Sequence, residues 1–158
     1  MIMLAAGGGF FVWERYLSPQ AKLNLEAQAN YQKYLDWEAN YEKAMREDTY
    51  GGKTPQETLD MFVAALRAGD VELASKYFML NASGKVDEKW INGLKKTKEE
   101  GRFSEVANLL SKALPILQDR TSNEDYRFAV YDTDGSRIKI YVNLELNVFS
   151  KIWKIESL

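Results

Sequence analysis

Leu59, Phe62, Val63 and Leu66 recur at i, i+3, i+4 and i+7, the spacing that gathers apolar side chains on one face of an α-helix. The stretch that carries them, TPQETLDMFVAALRAGDVELASKYFML over residues 54–80, also holds the strongest local signals in the chain. Thr54 is a good N-cap, and Pro55 sits at the first helical position, where its missing N–H costs nothing. Glu57 completes a capping box. Gly69 is placed to end this helix in the left-handed conformation, and Asp70 to cap a second, shorter helix through Phe78.

The helical period continues on both sides. Behind Ser18 and Pro19, residues 20–47 lack Gly and Pro and are rich in Ala, Glu, Gln, Leu and Lys, which predicts one long helix. Leu23, Ala27, Tyr31, Tyr34, Trp37 or Glu38, Tyr41 and Met45 give that helix one aromatic stripe. The stripe either lies on a core or a second copy of the chain, or is offered to a ligand; Tyr31, Tyr34, Trp37 and Tyr41 are its candidate interaction residues. DTYGGK, residues 48–53, then breaks the helix and reads as a hinge. Residues 86–100 predict a further helix with Trp90, Ile91 and Leu94 inward. The mixed-sign run KKTKEE faces outward as a solvated surface. Residues 103–113 predict another helix, with Pro115 stopping it.

Beyond that point the period falls to two. Residues 126–132 alternate, DTDG at 132–135 is a hairpin signal, and residues 137–146 alternate again. Ile138, Ile140, Val142, Leu144 and Leu146 share one face of that strand; Arg137, Lys139, Tyr141, Asn143 and Glu145 share the other. After a turn at 147–150, residues 151–157 predict a last strand with Trp153 and Ile155 on one side and Lys154 and Glu156 on the other. A weaker strand is predicted around residues 116–120. Helices followed by an antiparallel meander define an α+β layout, with the helices on the apolar face of the sheet.

Composition narrows the chemistry. The net charge of −2 provides no basic field for nucleic acid. The chain has no Cys and no His, which excludes disulfides, thiolate metal sites, Cys nucleophiles and the commonest general base and zinc ligand. Catalysis would fall to Asp, Glu, Tyr or Lys. No cofactor or metal site is indicated: no glycine-rich phosphate loop follows a strand, and DTDG lacks the later ligands of a calcium loop.

The N-terminal run MIMLAAGGGFFVW is uncharged and ends at Glu14 and Arg15. A membrane-spanning helix needs about 20 apolar residues, so the run is too short alone, and no Lys or Arg precedes it. Two readings stand: the outer part of an N-terminal anchor that begins upstream of Met1, or a terminal segment folded against the domain. Three consecutive glycines suit a soluble helix poorly, while Phe10, Phe11, Trp13 and Tyr16 suit a membrane interface, and the anchor is the reading adopted. The chain then divides into a partial anchor over 1–17, a helical stalk and hinge over 18–50 and an α+β domain over 54–158, carried on the extracytoplasmic side of a cell membrane.

TPQETLDMFVAALRAGDVELASKYF, with its Thr-Pro-x-Glu cap and Gly-Asp turn, and the final strand around Trp153-Lys154-Ile155 resemble the NTF2-like (cystatin-like) superfamily. The likeness is closest to its small secreted or membrane-anchored members, such as the short anchored proteins of candidate bacterial phyla. It covers residues 54–158, and the helical insert over 86–113 is longer than the usual pattern. The resemblance implies a strongly curved sheet forming a cone whose mouth often holds a small apolar ligand; a few members are isomerases, hydratases or epoxide hydrolases with Asp-centred sites. Here the aromatic residues Phe62, Tyr77, Phe78, Trp90, Phe128 and Trp153, with Tyr141, would line such a pocket. Three functions follow: a non-enzymatic, membrane-tethered domain binding a small apolar ligand or a protein; a small enzyme with an Asp or Glu base acting on an apolar substrate; and an assembly module, such as a homodimer, working through the aromatic stalk. A buried carboxylate in a dry cavity would favour the second, and a filled core with an exposed aromatic face the third.

Overall fold

A computed structural model describes residues 19–116 and 123–158. Two compact units make up the chain, Met1–Asn40 and Tyr41–Leu158. The expected anchor over 1–17 lies outside the described residues. Among the described residues, no helix is long and apolar enough to cross a membrane.

Helix α1, Pro19–Glu47, is as long as the Gly- and Pro-free composition predicts. In the first unit its surface is held by local i, i+4 pairs such as Gln32 Nε2 donating to Asp36 Oδ1 at 3.1 Å. Its final turns belong to the second unit, where Met45 is buried.

The second unit is α+β: helices packed on a curved, four-stranded antiparallel sheet. Helix α2, Pro55–Arg67, begins with the predicted capping box: the Glu57 N–H donates to Thr54 Oγ1, and Glu57 Oε2 accepts from the Thr54 N–H. Gly69 has a φ of 69°, the left-handed stop, and Asp70 caps α3, Val71–Lys76, through the Leu73 N–H. Asp87 caps α4, Glu88–Glu99, and α5 spans Phe103–Leu110.

The strands run in the order β1 (Leu114–Pro115), β2 (Asp125–Tyr131), β3 (Ile138–Asn147) and β4 (Ile152–Ser157), each antiparallel to the next. The edge strand β1 departs from expectation. Pro115 stands in it rather than ending α5, which has already stopped at Leu110, and residues 117–120 of the strand expected around 116–120 lie outside the described residues. An edge position tolerates a proline because no ladder hydrogen bond is asked of its nitrogen. On β3, Val142 and Leu144 are buried while Lys139 and Tyr141 are exposed, as the alternation predicts. Leu59, Phe62, Val63 and Leu66 of α2 meet Phe128, Val130, Val142, Leu144 and Ile155 in one core.

The free edge of β4 is covered by two irregular segments. The Trp153 N–H donates to Gly52 O, the Ile155 N–H to Tyr77 O, and the Met79 N–H to Ile155 O. An edge closed in this way offers no template to another strand.

Candidate functional site

Three side chains on which folding would leave polar atoms buried define a corner beside β4. Thr58 Oγ1 accepts from the Gly52 N–H at 2.8 Å and donates to Trp153 O at 2.9 Å. Asn147 Nδ2 donates to Met45 O at 2.8 Å, while its Oδ1 accepts from the Phe149 and Ser150 N–H groups. Lys154 is the third. Strand alternation puts it opposite Trp153 and Ile155, as expected, and it is fully buried. Its Nζ lies 2.6 Å from Asp48 Oδ2 and donates to Tyr50 O at 2.8 Å and Lys76 O at 2.6 Å.

The ammonium of Lys154 is therefore paired with one carboxylate and hydrogen-bonded to two backbone carbonyls. Burial pushes its pKa below the ordinary lysine value, and Asp48 acts in the opposite direction. A lysine held in this way is a clamp rather than a nucleophile. It fixes residues 48–53, read from sequence as a hinge, to the strand and to the end of α3. The glycines of that segment fit the same purpose. A Cβ on Gly51 would stand 2.3 Å from Trp153 O, and one on Gly52 2.3 Å from Glu57 Cβ.

A concavity lies elsewhere among the described residues. A pocket of about 190 Å³ opens among α2, α4 and α5 beside Leu158, and no residue of β2 or β3 lines it. Phe62, Leu66, Phe78 and Leu94 are buried and form its floor. Trp90, Gly93, Thr97, Val106 and Leu158 are more exposed and form its wall and rim. The helical period of α4 places Trp90, Gly93, Leu94 and Thr97 on one face. The rings of Trp90 and Phe78 are stacked, with centroids 4.7 Å apart and planes 15° from parallel. Phe62 meets Phe78 edge to face. The hydroxyl of Thr97 is turned back to its own helix, donating to Gly93 O at 2.9 Å. None of the lining side chains is ionisable.

The aromatic residues named from sequence divide between three places. Phe62, Phe78 and Trp90 line the pocket. Phe128 and Trp153 fill the core against Tyr126, at 5.0 and 6.1 Å between ring centroids, and Tyr77 is buried where its backbone meets Ile155. Tyr141 is on the opposite face of the sheet, beneath the guanidinium of Arg127. Arg127 Nε donates to Asn143 Oδ1 there, and Asn143 Nδ2 to Ser157 Oγ, in a polar row across three strands. Leu66, Gly93, Leu94, Thr97, Val106 and Leu158 were not foreseen as pocket residues. Gly93 alone carried a sequence signal, as a glycine inside a helical pattern.

Two acidic groups with displaced pKa values lie outside the pocket. Glu145 is raised, first by burial and then by the charges of Glu156, Asp125 and Glu124. Asp134 is drawn down to about 2 by hydrogen bonds involving Asp132 and Ser136 within the hairpin turn. Asp132 Oδ1 also accepts from the Ser136 and Arg137 N–H groups, and Gly135 has a φ of 73°, so DTDG is a turn. Among the described residues, no group of acidic side chains is arranged to hold a metal ion.

In the first unit, Tyr31 and Tyr34 are exposed, and Trp37 packs its ring 5.6 Å from that of Tyr34. Tyr41 is half-buried. Comparison of the chain with known protein families, with curated proteins and with solved structures finds no match.

Proposed function

We propose that residues 41–158 form a non-enzymatic domain that binds a small apolar ligand in the pocket among α2, α4 and α5. The observation that carries this reading is the pocket's chemistry: an open apolar concavity floored by Phe62, Leu66, Phe78 and Leu94. Binding sites are concave and largely apolar, whereas acid–base catalysis needs a titratable group at the reacting atoms. The buried carboxylate of Asp48 is committed to Lys154, and Glu145 is on β3, which does not line the pocket. The NTF2-like resemblance supports the architecture, through the capped α2 and the curved sheet, while the pocket lies among the helices and not at the mouth of the sheet. The uncharged N-terminal segment supports the proposal that the domain is tethered on the extracytoplasmic side of a membrane. The test is a nuclear magnetic resonance screen of the full chain against a mixture of lipophilic small molecules. Saturable shifts confined to Trp90, Leu94 and Val106 are expected; shifts only elsewhere, or none, would reject the reading.

A second reading, an assembly role for the arm, rests on the exposure of Tyr31 and Tyr34. Light scattering on chains with and without residues 1–40 tests it: a loss of mass beyond the deleted residues supports self-association, and two monomers reject a dimer.

A further inference from the structure

We infer that the pocket selects an uncharged, hydrocarbon-like molecule about the size of a single substituted ring, and that Gly93 is the specificity-determining residue that keeps its entrance open. This rests on the binding reading above and adds the ligand class and the residue that governs entry.

Gly93 carries the argument. It lies in the interior of α4, where glycine is less favourable than alanine because it leaves the backbone more freedom to lose. A glycine is required in such a place when the backbone needs a positive φ or when a neighbour comes too close for a Cβ. Neither holds here: Gly93 has no positive φ, and a Cβ built on it meets no heavy atom within 4 Å. Gly51 and Gly52 show the contrast, since a Cβ on either would collide with atoms at 2.3 Å. What Gly93 does adjoin is the pocket, on its solvent-exposed side. A side chain there would project into open space at the rim.

The size and chemistry of the space specify the occupant. An apolar cavity of about 150 Å³ stays dry and takes up benzene or xenon, so the 190 Å³ here accommodates one ring with a small substituent. Polar recognition is lacking at the floor. The Thr97 hydroxyl proton is spent on Gly93 O, and no lining side chain is ionisable. A charged group brought to the floor would lose its hydration without gaining a partner. The floor is also pre-formed: the Phe78 ring is held between its stack on Trp90 and its edge contact with Phe62, so little ordering is required on binding.

The experiment is a titration of the full chain with toluene, benzoate and benzylammonium, followed at the indole N–H of Trp90 by nuclear magnetic resonance. The same titrations are repeated on Gly93→Ala and Gly93→Leu. Toluene is expected to shift the Trp90 signal saturably, with each charged analogue at least tenfold weaker. Gly93→Ala is expected to weaken toluene several-fold and Gly93→Leu to abolish its effect, with thermal midpoints no lower than that of the parent chain. Should the leucine variant fail to fold, the alanine variant decides. Benzoate or benzylammonium binding as tightly as toluene, or toluene affinity unchanged within twofold in Gly93→Ala, would overturn the inference while leaving the binding reading standing. No response to any of the three would overturn both.

Discussion

The ammonium of Lys154 and the carboxylate of Asp48 meet at 2.6 Å with both side chains shut away from solvent. One residue belongs to the last strand and the other follows directly on α1, so the pair joins segments more than a hundred residues apart in the chain. Two backbone carbonyls, of Tyr50 and Lys76, complete the coordination of the ammonium. The contact ties residues 48–50 and the end of α3 to the β4 edge.

Removing one partner should therefore be costly. Lys154→Met would leave Asp48 as a buried, unpaired carboxylate, and a loss of about 3–5 kcal/mol in unfolding free energy is expected. Adding Asp48→Leu should recover only part of that loss. The carbonyls of Tyr50 and Lys76 stay without a donor, and each buried unsatisfied group costs about 1–3 kcal/mol. Urea denaturation of the two variants against the parent chain measures both effects.

Thr58 offers a test of the same corner without any charge. Thr58→Val keeps the shape but deprives the Gly52 N–H of its acceptor and Trp153 O of a donor. A loss of about 2 kcal/mol is expected. Thr54→Ala, which removes the N-cap of the same helix at an exposed site, should cost about 1 kcal/mol. Equal losses in the two variants would contradict the difference in burial.

The glycines should respond with opposite signs. Gly51→Ala forces a Cβ to within 2.3 Å of a backbone oxygen and is expected to destabilise by about 2 kcal/mol or more. Gly93→Ala meets nothing and replaces glycine inside a helix, so a gain of up to about 1 kcal/mol is expected. Thermal unfolding of the two variants separates them directly.

Glu145 provides the pH dependence. Its folded-state pKa is raised by burial and by Glu156, Asp125 and Glu124, so between the ordinary glutamate value and the raised one the folded state binds more protons than the unfolded. Stability from this group is complete at low pH and is lost as pH rises through the folded pKa. Glu145→Gln should be more stable than the parent chain at pH 7, by about 0.5 kcal/mol or less because the site is partly solvated and screened. The difference should vanish as pH falls below the ordinary glutamate range. Denaturant midpoints across pH 3.5–7 would show it.

How much of this could be read from the chain follows from how local each determinant is. The cap at Thr54, the stop at Gly69 and the alternation from Ile138 to Leu146 are set by residues within a turn or a strand of one another, and the fold class follows from them. Lys154 was not legible as buried. Strand period assigns its side of the sheet correctly, but what covers that side is residues 48–50 and the end of α3, which sequence spacing does not bring to mind. Pro115 was misread for a related reason, since a proline signals a helix stop as readily as an edge strand. The pocket was legible in its aromatic lining, at Phe62, Phe78 and Trp90. Its emptiness was not, because a void is a property of how α2, α4 and α5 come together rather than of any one of them. Phe128 and Trp153 are aromatic as well, and fill the core.

A crystal of the full chain pressurised with xenon tests the central claim most directly, because xenon reports an accessible apolar space without requiring a cognate ligand. The account predicts a xenon atom over the floor formed by Phe62, Phe78 and Leu94, with the rings unmoved, and none in the Gly93→Leu crystal. A pocket closed by its own side chains, or occupied only by ordered water in the parent crystal, would contradict it.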